Sequence, residues 1–171
     1  MNIRTPPKAM VVLVGPSGAG KSTFAASAFA PTEVLSSDAL RAMVADDPND
    51  QSATEAAFEL LHTALGLRLA RGRLTVVDAT NVERWARARL VAIAKKHGRP
   101  ATAIVFALPL AVCLERNAAR PDRQLPPATI RRQHGRLTAS LTTLADEGFD
   151  PVSRLEDAGA VAAARIERDP G

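Results

Sequence analysis

Short apolar runs alternate along the chain with longer segments whose apolar residues recur at helical spacing. The runs are rich in valine, isoleucine and leucine and are bounded by glycine, proline or polar residues, a pattern typical of buried strands. The predicted strands cover residues 10–14, 34–35, 74–77, 101–107 and 149–155.

The segments between these runs predict helices. The clearest has Phe58, Leu61, Leu65 and Leu69 on one stripe and Gly72 just beyond its end. The other predicted helices cover about 21–29, 82–97, 109–120 and 127–144.

Strands that alternate with helices indicate crossover connections and therefore an α/β fold, a parallel β-sheet with helices on both faces. We expect residues 1–8 to be a flexible tail and residues 9–171 to form a single domain. Ligands of such sheets bind at the carboxyl ends of the strands. The residues that directly follow each apolar run are therefore the candidate site residues.

Composition narrows the setting of the protein. The chain has 171 residues, 46% of them hydrophobic, and a single cysteine, Cys113. The apolar run 9–14 is too short to span a membrane, so no membrane partner is expected. One cysteine cannot form an intramolecular disulfide, which favours a reducing, cytoplasmic location. Nothing in the composition indicates an oligomeric state.

Positive charge is concentrated in one segment. Residues 115–136 contain six arginines and two acidic residues, a local charge of +4 that equals the net charge of the whole chain. Such a segment favours a site for phosphates or a nucleic-acid backbone. The alternative is a solvated, arginine-rich face with no ligand.

A glycine-rich loop follows the first apolar run. Residues 15–23 read GPSGAGKST and match the P-loop pattern G-x-x-x-x-G-K-[ST] between a strand and a helix. In this motif the backbone N–H groups surround a phosphate, the lysine reaches the β- and γ-phosphates, and the hydroxyl binds Mg²⁺. The predicted nucleotide-binding residues are Gly15, Ser17, Gly18, Ala19, Gly20, Lys21, Ser22 and Thr23, with Ser22 as the metal ligand.

Carboxylates follow the second and third runs. Asp38 is placed to face the γ-phosphate and accept the proton of an attacking hydroxyl, with Arg41 one turn later to hold an anionic part of the acceptor. The alternative is that Asp38 caps a helix beginning at Ala39. Asp78 is a candidate partner of Mg²⁺ or its waters, or a helix cap.

The residue after Asp78 is alanine, where hydrolytic motors place a glutamate, and no Asn-Lys-x-Asp motif is present. These absences count against a motor ATPase and a GTPase switch. Arg116, Arg120 and Arg123 can fold over a triphosphate as a lid, at about residues 116–126, that neutralises charge and excludes water.

Together these segments resemble the kinase domain of the bacterial end-healing polynucleotide kinase–phosphatase. The resemblance is carried in order by Ser37-Asp38 with Arg41, the turn 46–51, the run 75–81 and the arginine segments 115–117 and 122–124. It extends from about Val11 to Phe149.

The resemblance implies an ATP- and Mg²⁺-dependent kinase that acts on the 5′-hydroxyl end of DNA or RNA in end healing. Lys21, Asp38, Arg41, Arg116 and Arg123 would be its catalytic residues. Arg116 and Arg123 would bind the ATP phosphates, and the helix after residue 127 would pack near the nucleobase. Gln51 belongs to a matching motif, but its chemistry assigns it no role.

Members of that family often continue into phosphatase and ligase domains. The resemblance thus implies either separate phosphatase and ligase partners or domains outside these 171 residues. Two other functions remain open at this point. A small-molecule kinase for a sugar, antibiotic or similar hydroxyl acceptor needs the same aspartate and lid. A non-catalytic, nucleotide-dependent binding module or switch needs only nucleotide affinity, and the intact Lys21, Ser22, Asp38 and Arg123 count against it.

Overall fold

The computed structural model describes residues 1–170. Its strands are β1 (Asn2–Thr5), β2 (Met10–Val14), β3 (Val34–Ser36), β4 (Thr75–Asp78), β5 (Ala101–Phe106), β6 (Val152–Leu155) and β7 (Arg165–Arg168). Its α-helices are α1 (Lys21–Ala28), α2 (Ser37–Ala45), α3 (Thr54–Ala70), α4 (Arg84–Lys96), α5 (Leu110–Ala118), α6 (Pro127–Ser140) and α7 (Ala158–Ala163).

Five strands form a central sheet in the order β3-β4-β2-β5-β6, and every pairing is parallel. β2 lies in the middle with all five residues buried, which explains its uninterrupted apolar sequence. The loop after β2 therefore emerges at the centre of the carboxyl edge. The predicted α/β fold with a parallel sheet is confirmed.

Two apolar clusters cover the faces of this sheet. One contains residues of α3, α4 and the second half of α6, such as Leu65, Leu90 and Leu137. The other contains residues of α1 and α5, such as Phe24 and Cys113, together with Ile130 near the start of α6. Since its buried residues belong to both clusters, α6 passes from one face to the other across the sheet edge that carries the P-loop.

The loose tail expected over residues 1–8 is replaced in part by a strand. β1 pairs in parallel with β7 at the other end of the chain, and its buried Ile3 and Thr5 alternate with exposed Asn2 and Arg4. The prediction missed it because a four-residue strand whose partner is more than 160 residues away has almost no local signal.

The end of α6 also differs from the prediction. α6 ends at Ser140 instead of continuing to about residue 144, and a 3-10 turn at Ala145–Glu147 follows before β6.

Within residues 1–170, none of the helices combines the length and the hydrophobicity required to cross a bilayer.

Candidate functional site

A cavity of about 820 Å³ opens at the carboxyl edge of the central sheet. Its walls come from the P-loop, from the residues after β3 and β4, from the arginine segment and from α7. Of the predicted site residues, it brings together Ser17, Gly18, Gly20, Lys21, Ser22, Thr23, Asp38, Arg41, Arg116 and Arg123. Its volume is in the range typical of nucleotide and cofactor sites.

Two glycines shape the P-loop. Gly18 and Gly20 have φ values of +83° and +93°, a conformation that residues with a Cβ atom rarely adopt. A Cβ on Gly18 would overlap the Cys113 carbonyl oxygen of α5, and one on Gly20 would lie 3.3 Å from Nη1 of Arg116. The loop thus lies beneath the arginine segment, with its backbone at the cavity wall.

Gly15 and Ala19 do not line the cavity. The N–H of Gly15 donates to the Thr80 carbonyl at 2.9 Å, and the N–H of Ala19 donates to the Pro16 carbonyl at 3.3 Å. Both residues are buried beneath the loop. In this structure they shape the loop and do not face the space that a nucleotide would occupy.

Lys21 is buried in the wall of the cavity. Its Nζ donates to the Pro16 carbonyl at 2.9 Å, so the ammonium group is held against the P-loop itself. Burial lowers the pKa of Lys21 to about 8, an effect that the nearby Asp78 carboxylate opposes. A poorly solvated cation at this position is well suited to a phosphate group, which would replace the missing hydration.

Asp78 and Ser22 provide oxygen atoms next to this lysine. Asp78 is buried at the end of β4, and burial raises the pKa of its carboxyl group while Ser22 and Lys21 oppose the rise. Asp78 does not cap the following helix, whose N-cap is Glu83. A hydroxyl and a carboxylate beside a phosphate cradle are the ligands and water partners that Mg²⁺ prefers, so the residues present fit this ion. Residues 1–170 hold no cluster of three or more His, Cys, Asp or Glu that could bind a metal alone.

Asp38 accepts hydrogen bonds from two arginines. Nη1 of Arg41 lies 2.6 Å from its Oδ1, and Nη1 of Arg123 lies 2.7 Å from the same oxygen. Ser36, not Asp38, caps α2 by accepting from the N–H of Ala39. Arg41 is also fixed by the Pro48 carbonyl and the Thr54 hydroxyl, and its side chain is only 6% exposed. The carboxylate is therefore held by one rigid arginine and one from the distant arginine segment.

The arginine segment is anchored as a unit. The buried Asn117 donates to the Leu125 carbonyl at 2.8 Å and accepts from the Leu125 N–H at 3.0 Å, which closes the loop between α5 and α6. Arg120 pairs with Asp122 at 2.9 Å. Nε of Arg123 is buried and has no hydrogen-bond partner within residues 1–170. An unpartnered donor in a cationic cavity is suited to an incoming anion.

Two parts of the cavity are not predicted from the sequence. Oε1 of Gln133, on α6, accepts from the N–H of Ser17 at 2.9 Å, and α7 lines the cavity with Ala158, Val161 and Ala162. A glutamine on a helix carries no signal of a contact 116 residues away. Gln51 also lines the cavity, and its Nε2 donates to the Asn49 carbonyl at 3.3 Å.

A buried arginine supports the loop between β4 and α4. Arg87 is fully buried, and its Nε and Nη2 donate to the two carboxylate oxygens of Glu147 at 2.7 and 2.8 Å. Its Nη1 donates to the Asn81 carbonyl at 2.9 Å. Asn81 in turn donates to the Leu13 carbonyl at 2.8 Å, in the strand that leads into the P-loop. The carboxyl end of β2 and the loop after β4 are thereby linked through Arg87 to the 3-10 turn that carries Glu147.

A family profile matches most of this architecture. The AAA_33 profile, described as an AAA domain, covers residues 10–141, from the first residue of β2 to the end of α6. The chain belongs to the AAA_33 family. The matched range contains the P-loop, Asp38, Asp78 and the whole arginine segment. No curated protein sequence matches the chain.

Solved structures share the P-loop kinase fold of this AAA_33 member. A chain of the Pnkp1/Rnl/Hen1 RNA repair complex superposes with a TM-score of 0.68 and 21% identity over 82% of this chain and 47% of that chain. A gluconokinase from Sinorhizobium meliloti 1021 gives a TM-score of 0.57 at 22% identity, over 92% and 87% of the two chains.

A tunicamycin resistance protein from Deinococcus radiodurans gives a TM-score of 0.58 at 19% identity, over 88% of this chain and 87% of that one. These similarities establish the fold. They include a chain from an RNA repair complex and a sugar kinase, so they do not by themselves distinguish between acceptors.

Proposed function

We propose that this AAA_33 member is an ATP-dependent polynucleotide 5′-hydroxyl kinase. The observation that carries the proposal is the position of Asp38, in the same cavity as the P-loop and bound through Oδ1 to Arg41 and Arg123. Within residues 1–170, its Oδ2 forms no hydrogen bond, so that oxygen is available to an acceptor hydroxyl. The arrangement suits phosphoryl transfer to an alcohol.

The donor side consists of the P-loop, Lys21 and the arginine segment. Backbone N–H groups and Lys21 would hold the β- and γ-phosphates, while Arg116 and Arg123 would neutralise the charge that develops during transfer. Bound Mg²⁺ would supply further charge neutralisation, with Ser22 as its protein ligand and Asp78 next to it. Apolar residues of the cavity wall, among them Phe24, Ala158 and Val161, would receive the nucleobase.

The acceptor side consists of Asp38 and Arg41. As the hydroxyl attacks in line, its proton would pass to Oδ2 of Asp38 while Arg41 holds Oδ1 in place. The guanidinium of Arg41 is also suited to the first phosphate of a nucleic-acid strand. Residues 116–126 would form the lid. They contain Arg123, which donates to Asp38 in this structure and would contact the ATP phosphates when the lid closes over the nucleotide. We propose that the chain acts in the cytoplasm as one kinase domain that includes β1, because Ile3 packs in the same apolar cluster as Phe24.

The test is transfer of labelled γ-phosphate from ATP, with Mg²⁺, to 5′-hydroxyl DNA and RNA oligonucleotides. Wild type should label the oligonucleotide, whereas Asp38→Ala should lose about a hundredfold or more of the rate and keep its affinity for ATP. If Asp38→Ala binds ATP far more weakly, the aspartate is not an acceptor-side base.

A small-molecule kinase is the second candidate. The gluconokinase and the tunicamycin resistance protein share this fold over 87% of their own length, and the cavity can accommodate a small acceptor beside a nucleotide. Nucleotide binding without label on any oligonucleotide would favour this candidate, and a screen of sugars and other hydroxylated compounds would follow.

A further inference from the structure

A cationic and aromatic surface lies on the first half of α4, which begins four residues after Thr80 in the cavity wall. It consists of Arg84, Trp85 and Arg89 and is called the α4 surface below. Trp85 is 72% exposed, and both arginines are exposed. α4 contains no acidic residue, and the carboxylate just before it, Glu83, lies 3.6 Å from Arg136 of α6. Among residues 1–170, Arg84 and Arg89 have no carboxylate within salt-bridge distance.

The α4 surface is connected to the cavity through α3. Phe58 lines the cavity, and its ring lies 6.0 Å from the ring of His62, one helical turn further along α3. α3 and α4 pack against each other in one apolar cluster. In keeping with that packing, burial and then the positive charge of Arg89 lower the pKa of His62. Trp85 precedes Arg89 by one turn and so lies on the same side of α4, at its cavity end. The route from Phe58 and His62 on α3 to Arg89 and Trp85 on α4 therefore leads away from the acceptor side of the cavity.

An exposed tryptophan between two unpaired arginines has a specific chemical partner. Aromatic rings stack on bases of any sequence, and arginines on either side bind the phosphates of the same strand. Arg41 and Asp38 lie at the inner end of this route, where a strand terminus would enter. A protein partner would require an apolar patch broader than one tryptophan.

We propose that the α4 surface binds the acceptor strand beyond its 5′ end, with Trp85 stacked on a base and Arg84 and Arg89 on neighbouring phosphates. This inference rests on the proposed function, because it names the path of the same acceptor. The protein would then hold a strand by its terminus in the cavity and by its body across α4. A longer acceptor should bind more tightly than a mononucleotide.

The binding test uses Trp85 itself, which is the only tryptophan in the chain, and there is no tyrosine. Titration with a single-stranded 5′-hydroxyl 12-mer should quench its fluorescence in a saturable way. A nucleoside 3′-phosphate, which has the 5′-hydroxyl but no strand, should leave it unchanged. This readout does not depend on phosphate transfer.

The kinetic test compares the same two acceptors. Trp85→Ala should raise KM for the 12-mer about tenfold and leave kcat unchanged, and Trp85→Phe should recover most of the loss. KM for the nucleoside 3′-phosphate should not move in either variant. Arg89→Gln should reduce the slope of log affinity against log salt by about one. Lys96→Gln, which removes one charge about two turns further along α4, should not change it.

The outcomes separate the two proposals. Transfer to the 12-mer without quenching, and with the same KM in Trp85→Ala, would overturn the path across α4 and leave the kinase. Quenching without transfer to any oligonucleotide would leave a strand-binding surface but overturn the proposed function, and with it the role of this strand as acceptor. Neither transfer nor quenching would overturn both.

Discussion

The P-loop and the cluster of Asp38, Arg41 and Arg123, called the Asp38 cluster below, line the same cavity. They differ in how far apart their residues lie in the sequence. The P-loop is a single stretch of nine residues, and two glycines with positive φ fix its shape locally. The Asp38 cluster joins residues far apart in the chain, since Arg123 lies 85 positions from the carboxylate it binds. A local structure of this kind can be predicted from its residues alone, whereas the cluster depends on how the whole fold packs.

The bond between Arg123 and Asp38 couples the two regions. In this structure the Arg123 guanidinium donates to Asp38, the proposed acceptor base, and its Nε is free, whereas the proposed lid would place it against the ATP phosphates. Arg123 would thus contact Asp38 and the ATP phosphates in turn.

The largest effect is expected from breaking the coupling. Arg123→Ala should lower kcat for transfer by about a thousandfold, because an arginine that stabilises the transferred phosphoryl group contributes on that scale. The measurement is steady-state labelling of a 5′-hydroxyl oligonucleotide. Arg131→Ala removes an exposed arginine of the same cationic segment and should keep kcat near wild type. A loss of less than tenfold in Arg123→Ala would show that the residue acts on only one side or on neither.

The second effect concerns the support beneath the P-loop. Arg87→Met leaves Glu147 buried without its partner and the Asn81 carbonyl without its donor, so the free energy of unfolding should fall by about 3–5 kcal/mol. Urea denaturation measures this loss. Arg89→Met, an exposed site on the same helix, should change stability by no more than about 0.5 kcal/mol. Equal, small losses in both variants would contradict a structural role for the buried pair.

The P-loop and the Asp38 cluster also differ in how well the sequence predicts them. Contiguous valines in β2, the leucine stripe of α3 and the P-loop reflect local rules, so the fold and the nucleotide side could be predicted. Asp38, Arg41 and Arg123 are predicted as site residues from the sequence, but the bonds from both arginines to one oxygen of Asp38 are not. Gln133, Asn117 and the Arg87–Glu147 pair had no local signal, because polar residues on helices acquire partners only when the helices pack.

The third prediction tests the donor side through pH. The pKa of Lys21 is about 8 in the free protein, and a bound triphosphate would raise it by favouring the charged form. Affinity for ATP should therefore be highest below pH 8 and fall about tenfold between pH 7.5 and 9.5, as the free lysine loses its proton. Titration calorimetry at several pH values measures this. Lys21→Arg stays charged throughout, so its weaker binding should show no such fall.

The smallest effect is expected at Gln133, a residue of α6 that is distant in sequence but bonded to the P-loop. A backbone N–H can only donate, so its bond to Ser17 fixes Oε1 of Gln133 toward the loop and leaves the side-chain amide hydrogens toward the cavity. A phosphate or a base would then gain a donor from α6. Gln133→Leu should weaken ATP binding about fivefold, the value of one hydrogen bond.

Gln133→Glu separates this contact from a purely structural one. A carboxylate can still accept from the Ser17 N–H, so the loop should keep its shape, but it offers no donor and repels phosphate. If the amide contacts the nucleotide, Gln133→Glu should bind ATP more weakly than Gln133→Leu. If the side chain only holds the loop, the order should reverse, because leucine loses the bond to Ser17 and glutamate keeps it. Dissociation constants for ATP in the two variants therefore decide whether the P-loop binds nucleotide alone or together with a residue 116 positions away in the sequence.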